Sequence, residues 1–112
     1  MICASAALSD GGDGVRFTVR RGGRDVPAFV VRFGGQVFAY LNRCAHVAVE
    51  LDWQPGRFFD ADRAYLICAT HGALYRPESG RCVAGPCRGG RLEALVVVER
   101  DGGVFLAEDE AG

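Results

Sequence analysis

Apolar residues recur at every second position from Val15 to Arg20, where V-R-F-T-V-R alternates. A period of two marks a half-buried β-strand. Pro27 to Phe33 is instead apolar and β-branched almost throughout, and predicts a second strand. Gly34-Gly35 joins it to Gln36–Asn42, and a two-residue Gly-Gly link between apolar runs is a strong hairpin signal. Gly22-Gly23-Arg24-Asp25 predicts an earlier turn. Further on, Tyr65–Cys68 and Ala73–Arg76 predict short strands, with Pro77-Glu78-Ser79-Gly80 as a turn after them. Leu92–Arg100 is the most strand-like segment, and Asp101-Gly102-Gly103 turns it into Val104–Ala107. Met1–Gly14 ends in S-D-G-G-D-G and reads as a frayed lead-in, and Glu108–Gly112 as a loose acidic tail. No helical pattern of useful length occurs; Leu51–Ala64 is mixed and holds one turn at most. Repeats and low-complexity tracts are absent from the sequence. These patterns predict a small all-β domain, a sandwich or barrel of antiparallel strands.

Composition narrows the function classes. A chain of 112 residues is one domain, and 49% apolar content supports a real core. A formal net charge of −1 supplies no field to gather nucleic acid or an anionic membrane. The longest apolar stretch, Ala94 to Val98, is strand-sized and too short to span a bilayer. Met1–Ser9 lacks the basic start and the apolar length of a signal peptide. The expectation is a cytoplasmic protein with neither nucleic acid nor membrane as partner.

Candidate chemistry lies in the histidines. Only two occur, and each follows a cysteine closely: Cys44-Ala45-His46 and Cys68-Ala69-Thr70-His71. Two thiolates and two imidazoles are thus offered in mixed pairs from two separate loops, which is a metal-ligand set. In a reducing cytosol, ligand duty is the better default for paired cysteines than disulfides. Cys3, Cys82 and Cys87 fall outside the pattern, and Cys82 and Cys87 read as small buried hydrophobes. Zinc accepts Cys₂His₂, but zinc fingers usually place two Cys together and two His together. A binuclear cluster with inequivalent irons does favour mixing: if one iron takes both thiolates and the other both imidazoles, each loop must supply one of each. A Rieske [2Fe–2S] centre has that ligand distribution.

From about Val15 to Ala107 the chain resembles the Rieske ferredoxin-like family. The resemblance rests on Cys44-Ala45-His46, Cys68-Ala69-Thr70-His71-Gly72, Tyr75, Ser79-Gly80 and Gly85-Pro86. It implies a single Rieske domain with an antiparallel β-sandwich base, about 15–41 and 88–107, and an inserted cluster-binding subdomain, about 42–87. It implies a Rieske-type [2Fe–2S] cofactor on Cys44, His46, Cys68 and His71, with Tyr75 beside it and Gly85-Pro86 as a proline loop covering it. Departures are informative. The stretch between His46 and Cys68 is longer than in most relatives, through Glu50–Ala64 with Trp53, Phe58 and Phe59. This reads as a loop packing its own aromatics, ahead of a partner-contact lobe. Respiratory members brace the two ligand loops with a disulfide; those positions are Val49 and Thr70 here. The serine that high-potential members place two residues past the second histidine is Ala73 here, while Tyr75 is retained. Hydrogen bonds to cluster sulfur raise the potential, so the expectation is the low or middle Rieske range.

The implied function is one-electron transfer from a flavin reductase to a terminal oxygenase or similar acceptor. Once the cluster is ligated no histidine remains for a second, catalytic iron, so catalysis by this chain alone is not expected. The alternatives are a small Rieske subunit of a larger reductase of the nitrite-reductase type, a redox sensor, or, from another class, a zinc-binding structural or interaction module. Imidazole ligation also predicts a potential that falls as pH rises through the oxidised-state histidine pKa.

Overall fold

The computed structural model describes residues 1–44, 49–52, 54–69, 72–85 and 89–107. Its strands are β1 (Cys3–Ala4), β2 (Val15–Arg21), β3 (Arg24–Phe33), β4 (Gln36–Leu41), β5 (Leu66–Ile67), β6 (Leu74–Tyr75), β7 (Cys82–Ala84), β8 (Ala94–Leu95), β9 (Val97–Arg100) and β10 (Gly103–Leu106). One 3₁₀ turn, Ser5–Ala7, is the helical element among the described residues. The strands form three sheets ordered β1-β10-β9, β2-β3-β4-β8 and β5-β6-β7. Every ladder is antiparallel.

Turn chemistry sets the registers. Arg21 pairs with Arg24 and Phe33 with Gln36, so Gly22-Gly23 and Gly34-Gly35 are two-residue loops. All four glycines have positive φ, between 57° and 83°. That is the hairpin turn whose twist matches the strands it joins. Arg24 and Asp25 therefore belong to β3 and not to the turn. Arg100 pairs with Gly103 in the same way around Asp101 (φ 51°) and Gly102 (φ 75°).

The continuous apolar run of β3 has a structural cause. The β2-β3-β4-β8 sheet is a middle layer, buried on both faces. Ala28, Val30, Ala39 and Leu41 face one core, which they share with Val19 and Leu95 of the same sheet and with Leu8 and Val104. Phe29, Val31 and Tyr40 face the opposite way, into a second core shared with Leu51, Phe58, Leu66, Tyr75 and Leu92. A strand with no solvent face has no polar alternation to show.

Two expectations are corrected. Met1–Gly14 is not frayed. Cys3 pairs with Val104 and Ala4 with Gly103, and Leu8 is 4% exposed. Arg32 reaches across to the Leu8 carbonyl at 2.9 Å and the Ser5 carbonyl at 3.3 Å. Gly14 lies where an added Cβ would be 2.8 Å from Phe58, Val31 and the Val30 carbonyl, so that backbone is packed. Leu92–Arg100 is not one strand either. It divides at Val96, with β8 pairing β4 in the middle sheet and β9 pairing β10 in the next.

The long Glu50–Ala64 segment packs its aromatics, and it packs them on the base. Phe58 is fully buried and stacks on Phe29, with centroids 4.0 Å apart and planes 11° apart. Phe59 stacks on Phe33 at 6.0 Å. Trp53 lies outside the described residues.

Candidate metal centre

The chain leaves the middle sheet at Leu41 and rejoins it at Ala94, where Leu41 N–H donates to the Glu93 carbonyl at 2.9 Å. Both pattern cysteines lie on this excursion. Each opens a loop that hydrogen-bonds back onto its own first residue. Cys44 N–H donates to the Val49 carbonyl at 2.8 Å. Cys68 N–H donates to the Ala73 carbonyl at 2.9 Å, and Gly72 N–H to the Cys68 carbonyl at 2.7 Å. Gly72 has φ 70°, which suits glycine and strains a side chain. The β5–β6 pairing of Leu66 with Tyr75 and Ile67 with Leu74 fixes the ends of the second loop.

Cys44 and Cys68 carry thiols, 3% and 0% exposed, and they belong to one core cluster with Leu51, Ala73 and Tyr75. The structure thus brings together the two sulfur donors that lie far apart in sequence. The Tyr75 hydroxyl is 3.2 Å from the Cys44 sulfur. A thiolate can only accept, so toward a thiolate the phenol donates. Tyr75 is fully buried and sits in β6 between Leu66 and Cys82, so its position is imposed by the sheet. Ala73, two residues before it, is also fully buried and offers no hydroxyl.

A third segment presses on the second loop. Gly85 (φ 94°) lies where an added Cβ would be 2.9 Å from the Ala73 Cα. Only glycine permits that approach, and it brings the chain that leads into Pro86 against the loop of Cys68. Cys82, 5% exposed, lies in the same core, but its sulfur is disulfide-bonded, which corrects the expectation of a plain small hydrophobe there. His46, His71, Pro86 and Cys87 lie outside the described residues. Among the described residues no group of three or more His, Cys, Asp or Glu side chains gathers.

A buried phenol helps to join the excursion to the base. Tyr40 on β4 donates to the Pro77 carbonyl at 2.7 Å. Gly80 lies under the same ring, where an added Cβ would be 2.7 Å from Tyr40 Cε1. Burial pushes the Tyr40 phenol upward in pKa, so it stays a donor. The pattern of Pro77–Gly80 predicts the turn but not the ring that seats it. Asn42 and Asp52, 3% and 6% exposed, are also buried at the two ends of the first cysteine loop. Sequence reading passed over both, because nothing local separates a buried Asn or Asp from one in a turn. A cavity of about 610 Å³ runs between Gly11-Gly12, Arg57 and Arg63 and reaches Ala69; neither thiol lines it.

Two buried thiols on hydrogen-bonded loops, with a phenol beside one sulfur, fit a metal-binding domain of antiparallel β architecture. The chain belongs to the Rieske [2Fe–2S] domain family, whose model matches residues 1–99. Its cofactor is accordingly a Rieske-type [2Fe–2S] cluster, and the zinc reading gives way. The ferredoxin of carbazole 1,9a-dioxygenase from Nocardioides aromaticivorans IC177 shares the fold at TM-score 0.71 and 24% identity, over 96% of this chain and 95% of that one. The Sphingomonas yanoikuyae B1 ferredoxin gives TM-score 0.71 and 24% identity over 96% of each chain. A ferredoxin solved in complex with the reduced oxygenase of carbazole 1,9a-dioxygenase gives TM-score 0.71 and 25% identity, over 95% of this chain and 89% of that one. No curated protein matches closely enough in sequence to count as a relative. The all-β Rieske architecture expected from the sequence is the one found. No helix among the described residues is long and apolar enough to cross a membrane.

Proposed function

We propose that this chain is a one-electron carrier that takes electrons from a flavin reductase and delivers them to a terminal oxygenase. The observation that carries the reading is the pairing of Cys44 and Cys68, two buried thiols on adjoining closed loops, within a Rieske-family fold. Cys44 and Cys68 would hold one iron, and His46 and His71 the other. Tyr75 would donate to the Cys44 sulfur, and Gly85-Pro86 would cover the centre from the side of Ala73. The middle sheet with its flanking strands (about 15–41 and 88–107) serves as the base, and residues of about 42–87 as the cluster-binding part. When bound, the cluster supplies a reversible one-electron couple.

The residues around it act by position and polarity. Burial in the Leu51, Leu66 and Tyr75 core keeps water from the sulfurs. The phenol of Tyr75, 3.2 Å from the Cys44 sulfur, would stabilise the extra negative charge of a reduced centre. Without a hydroxyl at Ala73 one such bond would be missing, which favours a potential in the low or middle Rieske range. A solved ferredoxin of this fold sits in complex with its oxygenase, which favours the carrier over a subunit fixed within a larger reductase.

Anaerobic EPR of the dithionite-reduced protein, with iron and acid-labile sulfide assays, tests the ligation. Replacing His46 or His71 by alanine should abolish the rhombic signal and the red-brown colour. Retention of both in either variant would overturn it. Stopped-flow mixing of the reduced protein with an oxygenase of the carbazole type then tests the acceptor.

A further inference from the structure

A chain of hydrogen bonds, buried at Asn42 and Asp52, runs from the base through the root of the Cys44 loop to the residue after Cys68. It starts on β3, where the Pro27 carbonyl accepts from Asn42 N–H at 2.8 Å. Asn42 then uses both ends of its amide. Its Oδ1 accepts from Leu51 N–H at 2.9 Å, and its Nδ2 donates to Asp52 Oδ1 at 2.9 Å. Leu51 passes the chain on, since its carbonyl accepts from Ala69 N–H at 3.0 Å, one residue past Cys68. Asp52 is held from its other oxygen, where Gly56 N–H donates to Oδ2 at 2.9 Å and Arg16 Nε forms an ion pair at 3.4 Å. Arg16 donates a hydrogen bond to Glu50 at 2.7 Å. The Asp52 side chain has no exposed surface.

We infer that Asn42 and Asp52 are positioning residues: together they clamp the root of the Cys44 loop and set its spacing from the Cys68 loop. The inference rests on the ligand reading under Proposed function. A buried amide with both ends satisfied has one orientation, because reversing it would place donor against donor at Leu51 and leave nothing to donate to Asp52. The carboxylate fixes that orientation, and β2 fixes the carboxylate through Arg16. Val49 and Thr70 offer no sulfur with which a covalent brace could join the loops. The hydrogen-bonded clamp does that work with polar side chains that bind no metal themselves.

The measurement is cluster loss. Purified holoprotein is mixed with an iron chelator and the visible absorbance is followed. Partners that orient ligands in this way are typically worth 10–100-fold in metal affinity. Asn42→Ala should therefore lose its cluster at least about tenfold faster than the parent. Its reduced EPR signal should be shifted or broadened, while thermal unfolding of the base strands, followed by circular dichroism, is unchanged. Asp52→Asn, which keeps the shape and sets a donor amid donors, should behave in the same direction. The double variant should lose the cluster no faster than Asn42→Ala, because the pair acts as one device. If Asn42→Ala fails to accumulate as folded protein, Asp52→Asn decides by the same two readings. Parental loss rates and an unchanged EPR signal would overturn the clamp. So would loss that keeps pace with unfolding of the base. A parent protein that binds no red-brown cluster would instead overturn the ligand reading.

Discussion

The hydroxyl of Tyr75 lies 3.2 Å from the sulfur of Cys44, and the sheet on both sides of Tyr75 prevents it from turning away. Tyr75→Phe keeps the buried ring and removes only the donor. A hydrogen bond worth about 1 kcal/mol corresponds to roughly 40 mV in a one-electron couple, taking about 59 mV per tenfold change. The midpoint potential should therefore fall by roughly 40 mV. Spectroelectrochemical titration reads it directly, and an unchanged potential would show that the phenol does not stabilise the reduced state.

Tyr40 offers a test of how the excursion is seated. Tyr40→Phe leaves the Pro77 carbonyl without its 2.7 Å donor inside the core. Stability should drop by about 1–3 kcal/mol, read from the midpoint of urea unfolding. Gly80→Ala should be at least as harmful. Its Cβ would meet the same ring at 2.7 Å on a backbone with φ 75°.

Phe58 measures whether the long segment is part of the core. Phe58→Ala should cost about 3–5 kcal/mol, the usual cost for a fully buried phenylalanine. Its stacking partner Phe29 lies in the middle sheet. A loss below about 1 kcal/mol would instead make the segment a dispensable surface lobe.

Acid should loosen the N-terminal strand first. Arg32 donates to both Glu99 oxygens while also holding the Leu8 and Ser5 carbonyls. That guanidinium pulls the Glu99 carboxyl down to about 2 from 4.5. A carboxylate lowered on folding contributes stability that is present above its unfolded pKa and is lost as pH falls through the folded one. The protein should therefore lose this contribution between about pH 4.5 and pH 2. Glu99→Gln should remove that part of the acid slope, as measured by denaturation midpoints across the range.

Much of the base was legible because its instructions are local. Gly22-Gly23 and Gly34-Gly35 each carry a turn in two residues, and the alternation of β2 names its buried face. The N-terminus was misread because what orders it is remote. Cys3 pairs with Val104, and one arginine on β3 reaches back to Leu8, neither of which leaves a trace in residues 1–14. The break at Val96 was equally hidden, since apolar alternation does not record which neighbour a strand is pairing with. At the site, the spacing of Cys44 and Cys68 announced the sulfurs. Asn42, Asp52 and Tyr40 could not be found that way, because a hydrogen-bonding side chain reveals its task only once its partners are in place.

Residues 42–93 begin and end on neighbouring strands, for Leu41 and Glu93 are already hydrogen-bonded where the middle sheet closes. The entropy of bringing those ends together is met by strand pairing and not by iron. The three two-residue hairpins in the same scaffold are the most local contacts in the protein, and contacts of that kind form early. Assembly is thereby ordered in time: a scaffold first, a mineral later. Hydrogen exchange on the metal-free chain should show β2, β3 and β4 already protected. A maturation machine would then meet a receptacle whose hinges are already fixed.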